Sequence, residues 1–369
     1  MNERFASTVP SGRGAEASAP TSAVVLGGTG YVAGELLRLI AGHPLLELAA
    51  IVSDSQPGAP VGAAFPHLYA AYPQLAFAAF ADAETLIGRV PRTALFSAAP
   101  HGAAAGAVDR LLRAGELAGV RVHCVDISAD YRYRSPAVYE AVYGHAHTAP
   151  ARLKDFTCAV PEHLAASPTR HIAHPGCFAT AVLLASVPLL AAGVTDGRLF
   201  VSGITGSTGS CRKPSDGTHH PQRHGDLYSY NALAHRHVPE IVACAKLATG
   251  VEAEVNFVPH SGPFARGIHV TVQAALVKPL DGAGARALMA AYYQTSPFVR
   301  VVAGAPRIKD VVASNFAHLG AASNGRSIAV TAAIDNLDKG AAGGAVQWMN
   351  RLLGYGEATG LTAPAPGWT

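Results

Sequence analysis

A glycine-rich turn lies between a short strand and a helix near the start of this chain, and it sharply limits the possible folds. An apolar strand predicted over 23–26 leads into GGTGYVAG (27–34) and a leucine-rich helical stretch over 35–41. A second apolar strand is predicted over 46–53. This order of strand, tight turn, helix and strand predicts a βαβ unit of a parallel sheet.

The alternation of strands and helices continues beyond this unit. Strands are predicted over 93–98 and 120–127, with a helix over 103–114 between them. The first strand ends at PHG (100–102) and the second at DISAD (126–130). Because ligands of open parallel sheets bind beyond the carboxyl ends of the strands, both turns should border a ligand site.

The glycine-rich turn suits a dinucleotide. Gly27, Gly30 and Ala33 are small enough for a sharp turn and for close approach of a pyrophosphate, whose charge a helix N-terminus favours. A purely structural turn is the alternative, because a glycine pattern alone is weakly specific. The segment SDS (53–55) is ambiguous, since hydroxyls suit the 2′-phosphate of NADP whereas Asp54 suits the free 2′-hydroxyl of NAD.

Composition excludes several classes of protein. A chain of 369 residues that is 49% apolar can build full cores, and a net charge of +3 without a dense Lys/Arg cluster argues against nucleic acid. The apolar run 181–194 is interrupted by Pro188 and is shorter than the roughly 20 residues of a membrane span. Residues 1–22 lack an apolar signal core and are predicted to be a disordered leader, with a transit peptide as the less favoured alternative.

Cys177 is the strongest candidate for a nucleophile. The five cysteines are odd in number and form no CxxC pair, which favours a reducing cytoplasm over a disulfide framework or a zinc ribbon. Cys177 follows HPG (174–176) and precedes an apolar helical run over 181–190. Since a helix N-terminus stabilises a thiolate, we expect a lowered pKa for Cys177. A buried structural cysteine is the alternative.

Acyl transfer by a thiolate also requires groups that hold the charges of the substrate. The small-residue loop 202–213 ends in Arg212 and Lys213, which suit a phosphate or a carboxylate. Arg266 precedes a predicted strand over 269–275 and is placed to clamp a carboxylate. A flexible surface loop and a solvated arginine are the alternatives.

A proton-transfer group is expected among nearby histidines. His235 and His237 carry imidazoles that titrate near neutrality, and either of them can exchange a proton with Cys177. Five histidines between 219 and 237 also raise the alternative of a metal site. No matching cysteine or carboxylate spacing accompanies them, so no metal is predicted.

Eight segments carry a common resemblance over about 23–355. They are GGTGYVAGELLRL (27–39), APHG (99–102), VDISADYR (125–132), VPE (160–162), HPGCFAT (174–180), HRHVPEI (235–241), PFARGI (263–268) and NLDKGAAGGAVQWMN (336–350). Together they resemble the N-acetyl-gamma-glutamyl-phosphate reductases, within the aspartate-semialdehyde dehydrogenase group. The resemblance implies an α/β protein with a Rossmann domain over 23–161 and 326–369. It also implies an α+β catalytic and oligomerisation domain over 162–325.

The resemblance implies a complete set of site residues. Cys177 would be the nucleophile, and His235 or His237 the acid/base. The residues implied to bind NADP(H) are Gly27, Thr29, Gly30, Tyr31, Ala33, Ser53, Pro100, His101, Gly206 and Asn336. The residues implied to bind substrate are Arg132, Ser207, Arg212, Lys213 and Arg266.

The implied activity is NADPH-dependent reduction of N-acetyl-gamma-glutamyl phosphate through a cysteine thioester, by a cytoplasmic homodimer or homotetramer. The segment HHPQR (219–223) is similar to sister reductases that act on carrier-protein-bound aminoadipyl or glutamyl phosphate, which is the main alternative. A non-catalytic dinucleotide sensor is a more distant one. The family's usual arginine near 53–55 is missing here, which leaves the preference between NADP and NAD open.

Overall fold

The computed structural model describes residues 20–368. Most of the predicted leader over 1–22 therefore lies outside the described residues. Thr21 and Ser22, at the end of that segment, already belong to the first strand. Within residues 20–368, no helix is long and apolar enough to cross a membrane.

The first of two sheets is built from the N-terminal part of the chain. Its strands are β1 (Thr21–Leu26), β2 (Leu46–Val52), β3 (Arg92–Ser97), β4 (Arg121–Asp126), β5 (Phe156–Cys158) and β6 (His171–Ala173). The accompanying helices are α1 (Tyr31–Ala41), α2 (Val61–Ala64), α3 (Phe80–Ile87), α4 (Ala104–Leu117) and α5 (Pro136–Tyr143). All strand pairs are parallel, in the order β2-β1-β3-β4-β6-β5. The predicted α/β class is confirmed.

The strand order reverses between β1 and β3, which is where an open α/β sheet forms its ligand crevice. Helix α1 starts after Gly30 and buries Leu36, Leu37 and Ile40 in the core beside Val25 of β1. This apolar face holds α1 on the sheet, so that its N-terminus points into the crevice.

The second sheet is mixed. Its strands are β7 (Arg198–Thr205), β8 (Tyr228–Ser229), β9 (Glu254–Ser261), β10 (Ile268–Ala275), β11 (Val299–Val301), β12 (Ala317–Ser323) and β13 (Ser327–Ile334). The helices of this region are α6 (Cys177–Ala191), α7 (His220–Arg223), α8 (Val238–Thr249) and α9 (Gly282–Tyr292). The strand order is β11-β12-β13-β10-β7-β9-β8.

Helix α6 forms the centre of the second core. Every residue from Phe178 to Leu190 is buried, and the helix packs against β10, β13 and α8. Because α6 is apolar on all sides, it can only be stable in the interior. This burial fixes the position of its first residue, Cys177.

Two strands belong to the sheet of the other domain than the one expected from the sequence. Strand β6 joins the first sheet although it falls within 162–325, and β13 joins the second although it falls within 326–369. Three residues are too few for a periodic pattern to reveal β6. After β13, a π-helical turn, Asp338–Ala342, leads into α10 (Gly343–Leu353), which packs on the first sheet.

Candidate active site

Cys177 is the first residue of α6 and follows Gly176 at the N-cap. The N–H of Gly176 donates to Oε1 of Glu240 at 2.5 Å. The π-helical turn covers the other side of the cysteine, where a Cβ added to Gly340 would lie 2.8 Å from Cβ of Cys177. Cys177 therefore lies at the junction of α6, α8 and the π-helical turn.

The environment of the thiol differs from the one expected. Burial raises the pKa of Cys177 to about 11, and the N–H of Phe178 and the Arg132 cation oppose this shift only in part. The predicted lowering of this pKa is wrong for the free protein, because removal of the sulfur from water outweighs the helix terminus. The thiol must therefore lose its proton to a base before it can attack a substrate.

His237 supplies an imidazole beside the nucleophile. Its ring lies over the peptide that precedes Cys177, since a Cβ on Gly176 would collide with Nε2 of His237. Its Nδ1 is buried and has no hydrogen-bond partner among the described residues. Burial and the nearby Arg132 hold the pKa of His237 well below its usual value, so the ring is neutral at pH 7.

His235 has a different environment. Its Nδ1 accepts the N–H of His237 at 3.2 Å, and its ring packs edge-on against Phe178 and Phe257. Burial lowers the pKa of His235 to about 4. The sequence left both histidines open as acid/base, and the geometry favours His237, with His235 as its support.

Arg132 is buried and bonded to groups of the protein itself. Its Nε donates to the carbonyl of His174 at 3.1 Å, its Nη2 donates to that of Ile127 at 3.0 Å, and its Nη1 lies 3.0 Å from Oε2 of Glu240. Both side chains of the ion pair are buried. Arg132 thus holds two backbone carbonyls and Glu240, the carboxylate that binds the peptide before Cys177. Its expected role in substrate binding stays a prediction.

The glycine-rich turn has the geometry of a dinucleotide cradle. Gly27 has φ +80°, and a Cβ there would collide with the carbonyl of Ala98 at the end of β3. The N-cap of α1, Gly30, has no side-chain cap, and the space around its missing Cβ is open. Ala33 is buried beneath the turn, and Tyr31 is exposed at the helix start. Unpaired N–H groups with open space above them suit a pyrophosphate.

The carboxyl ends of β3 and β4 meet beside this cradle. After Pro100, Nδ1 of His101 accepts the N–H of Ala129 at 2.9 Å, and burial lowers the pKa of His101 to about 4. Asp130 accepts the N–H groups of Gly102 and Ala105 and so caps the start of α4. The two turns expected to border one ligand site are therefore joined directly.

The remaining expected cofactor residues are placed as follows. Ser53 is buried at the end of β2, and its Oγ accepts the N–H of Gln56 at 3.2 Å. Asn336 follows β13, where its Oδ1 accepts the N–H of Gly267 at 2.7 Å and its Nδ2 donates to Thr208 at 3.0 Å. Asn336 thus ties the loop after β7 to the turn before β10.

Family models match most of the chain. One, described as "Semialdehyde dehydrogenase, NAD binding domain", covers residues 22–156. The other, described as "Semialdehyde dehydrogenase, dimerisation domain", covers residues 177–336. A crystal structure of aspartate semialdehyde dehydrogenase II complexed with ASA from Vibrio cholerae has the same fold, with a TM-score of 0.66. That match is 15% identical and covers 91% of this chain and 99% of the other.

Curated relatives are closer in sequence. An N-acetyl-gamma-glutamyl-phosphate reductase from Methanopyrus kandleri is 38% identical over 348 residues, which cover 92% of this chain and 97% of the relative. The chain belongs to the N-acetyl-gamma-glutamyl-phosphate reductase family. A relative from Ignicoccus hospitalis is provisionally named LysW-L-2-aminoadipate/LysW-L-glutamate phosphate reductase. It is 37% identical over 354 residues, which cover 93% of this chain and 98% of the relative.

In this member of the reductase family, Arg212 and Lys213 lie beside the glycine-rich turn. Arg212 donates to the carbonyl of Thr29 at 3.2 Å and to that of Ala64 at 2.8 Å. Both cations line one cleft with Thr29 and Gln56. The loop thus extends from β7 to the glycine-rich turn and α2, and the expectation that the two cations hold the substrate stays a prediction.

Arg266 and Ser207 also bond to groups of the protein itself. Arg266 pairs with Asp335 at 2.9 Å and with Glu35 at 3.0 Å, and therefore joins α1 to the end of β13. Two carboxylates thus pair with Arg266, while its buried Nη2 has no hydrogen-bond partner among the described residues, and the carboxylate clamp expected there stays a prediction. Ser207 donates its N–H to Phe264 at 2.9 Å, and a Cβ on Gly206 would collide with the carbonyl of Ala265.

Sequence reasoning assigned no role to Glu240, and it singled out Asp130 and Gly340 only as parts of longer segments. Glu240 and Asp130 organise the backbone at Cys177 and at the start of α4, and Gly340 packs on the nucleophile. Glu240 could have been found from its place in the sequence, because it is an acidic residue in the first turn of α8. A π-helical turn such as Asp338–Ala342, which is frequent at functional sites, leaves no comparable mark on the sequence.

Proposed function

We propose that this chain reduces N-acetyl-gamma-glutamyl phosphate to N-acetylglutamate 5-semialdehyde, with release of phosphate, in arginine biosynthesis. The observation that carries this proposal is the neutral imidazole of His237 over the peptide preceding Cys177, a thiol at a helix N-terminus. The Methanopyrus kandleri relative bears the name of this activity and aligns over nearly its whole length.

The reaction begins with transfer of the Cys177 thiol proton to His237. Burial keeps the thiol protonated and the imidazole neutral, so each group starts in the state that this transfer requires. The sulfur then bonds to the acyl carbon, and the bond from that carbon to the phosphate oxygen breaks. Phosphate leaves and a thioester remains on Cys177.

Bound NADPH supplies the hydride that reduces the thioester carbonyl. The protonated His237 donates its proton to the oxygen of the resulting thiohemiacetal and takes it back as the carbon–sulfur bond breaks. The aldehyde is released, and the returned proton restores the thiol. Free N–H groups in the first turn of α6, which has no side-chain cap, face the developing oxyanion.

The cofactor proposed is NADP(H). The open N-terminus of α1 and the tight turn at Gly27 fit a nicotinamide dinucleotide, which the matched NAD binding domain also supports. The hydroxyls of Ser53 and Ser55 at the end of β2 suit a 2′-phosphate, whereas Asp54 opposes it.

The proposal includes a two-domain homo-oligomer, dimeric or tetrameric, in the cytoplasm. The first sheet with α10 would bind the cofactor, and the second sheet with α6 would carry the catalytic groups. Strand β7 exposes Arg198, Phe200 (54%) and Ser202 on the face of its sheet opposite α6. The matched dimerisation domain and this uncovered face support self-association. All five cysteines are free thiols, which suits a reducing compartment.

Reduction of a carrier-bound aminoadipyl or glutamyl phosphate is the second candidate. The observation in its favour is that the Ignicoccus hospitalis relative is as similar as the reductase from Methanopyrus kandleri. It requires the same thiol and the same imidazole. The substrates of the two candidates differ in the group attached to the acyl chain and, for aminoadipyl phosphate, in one additional methylene.

The deciding experiment is phosphate-dependent reduction of NADP by N-acetylglutamate semialdehyde, with wild type beside Cys177→Ala. We expect activity in the wild type that the variant loses. Activity with the carrier-bound semialdehyde alone would support the second candidate. A wild type silent with both substrates, despite intact NADPH binding, would contradict the thioester route.

A further inference from the structure

The binding of a 2′-phosphate requires a cation that the usual part of this chain lacks. No Lys or Arg occurs between Arg38 and Arg89, a stretch that contains all of β2 and its carboxyl end. The only charged residue directly after β2 is Asp54, which is exposed and repels a phosphate. If this protein selects NADP, its cation must come from another part of the chain.

The loop after β7 places two cations, Arg212 and Lys213, beside the carboxyl end of β2. The guanidinium of Arg212 is fixed by the carbonyls of Thr29 and Ala64 and stacks over the ring of Phe65 at 5.3 Å. Thr29 belongs to the pyrophosphate turn. Arg212 thus extends from the second sheet to the surface that borders the cofactor cradle.

Lys213 lies in the same cleft. The cleft has a volume of about 550 Å³ and is lined by Thr29, Gln56, Ala63, Ala64, Arg212 and Lys213. Gln56 directly follows the SDS segment at the end of β2, and its N–H is held by Ser53. A dinucleotide with its pyrophosphate at Gly30 and its adenosine ribose at the end of β2 must cross this cleft.

The backbone directs the pair towards the cleft. Cys211, immediately before Arg212, has φ +69°, a conformation that a residue other than glycine adopts only when the surrounding structure holds it there. The contacts of Arg212 with Thr29 and Ala64 provide that hold. The loop is therefore anchored at the point where it turns the two cations towards Gln56.

We infer that Arg212 and Lys213 recognise the 2′-phosphate of NADP and give this reductase its preference over NAD. This inference rests on the proposed function. Lys213 makes the ion pair with the phosphate, and Arg212 supplies the fixed positive charge beside it. The selecting groups then come from the domain that carries the nucleophile.

The test is direct binding to the full chain. The affinities of NADPH and NADH would be measured by fluorescence titration for wild type, Lys213→Ala, Lys213→Glu and Arg212→Gln. The control is Lys278→Ala, an exposed lysine in the loop after β10. Competition by 2′,5′-ADP and by 5′-AMP would separate the 2′-phosphate from the rest of the nucleotide.

We expect Lys213→Glu to weaken NADPH and 2′,5′-ADP at least tenfold and to change NADH and 5′-AMP less than twofold. Lys213→Ala and Arg212→Gln should give smaller losses in the same direction, and Lys278→Ala none. Equal losses for both dinucleotides, no loss for either, or a wild type that binds both equally would overturn the inference.

These outcomes are distinct from failure of the proposed function. Cys177→Ala should retain the full difference between NADPH and NADH. A wild type that selects NADPH through Lys213 but is silent with the semialdehyde would uphold the inference and contradict the proposed reaction. A wild type that reduces NAD and NADP equally well with the semialdehyde would support the proposed reaction and contradict the inference.

Discussion

The two ends of the proposed cofactor site are built in opposite ways. Around Cys177, the charged and titratable groups are buried, close in space and mutually bonded, as the Arg132–Glu240 pair illustrates. At the ribose end, Arg212 and Lys213 are exposed and border an open cleft. Burial can shift a pKa by several units, whereas a solvated cation mainly attracts an anion. The contrast suggests that the enclosed end performs proton chemistry and the open end selects the ligand.

The largest expected effect would follow from removal of the buried nucleophile. Cys177→Ser should lower kcat by on the order of 10⁶-fold, as for other enzymes that lose a nucleophile, while NADPH binding is unchanged. Steady-state rates and a binding titration would measure both. Cys211→Ser, at an exposed cysteine, is the matched control. Comparable losses in both variants would remove the distinction between the two ends.

Loss of the imidazole should cost less than loss of the thiol. His237→Gln should lower kcat by roughly 10²- to 10⁴-fold, the usual contribution of general acid/base catalysis. His235→Gln should act more weakly, because His235 contacts His237 and two aromatic rings rather than the peptide before Cys177. The ranking of the two kcat values is the measurement, and the reverse ranking would assign proton transfer to His235.

The buried ion pair provides a test of stability. Glu240→Gln leaves Arg132 charged, buried and without its counterion, and should lower the free energy of unfolding by about 3–5 kcal/mol. Urea denaturation would measure the change. The control is Glu254→Gln, which removes the exposed pair with Arg198 and should have little effect. A small change at Glu240 would mean that solvent reaches this pair.

The pH dependence of the alkylation rate should distinguish the buried thiol of Cys177 from the exposed thiol of Cys211. Because the pKa of Cys177 is raised to about 11, its thiolate fraction in the free protein should increase roughly tenfold per pH unit up to that value. Iodoacetamide should therefore label exposed Cys211 faster than Cys177 at pH 8. Peptide mass spectrometry over a pH series would measure both rates. Faster labelling of Cys177 at pH 8 would show that its thiol is already ionised.

The sequence predicted local features best. The strand, turn and helix around Gly30 lie within a few residues of their expected bounds, and Cys177 starts a buried helix as proposed. Both features depend on residues that are close together along the chain, where periodicity and turn chemistry are visible. A one-dimensional pattern is sufficient for them.

The partners of the arginines were beyond that kind of reasoning. Arg266 pairs with Glu35 across 231 positions, and Arg212 reaches Thr29 across 183. An isolated arginine looks the same whether its partner is a substrate or a carboxylate of the same chain. The pKa of Cys177 was predicted wrongly for a similar reason, since burial depends on elements that meet only in the folded protein.

The π-helical turn has a consequence for synthesis on the ribosome. Gly340 closes the pocket of a cysteine that was translated 163 residues earlier, and α10 then covers the first sheet begun at Thr21. A nascent polypeptide that has emerged only as far as β13 lacks both elements. Contacts so distant along the chain form late in folding, so the thiol gains its shielded surroundings only near the end of translation.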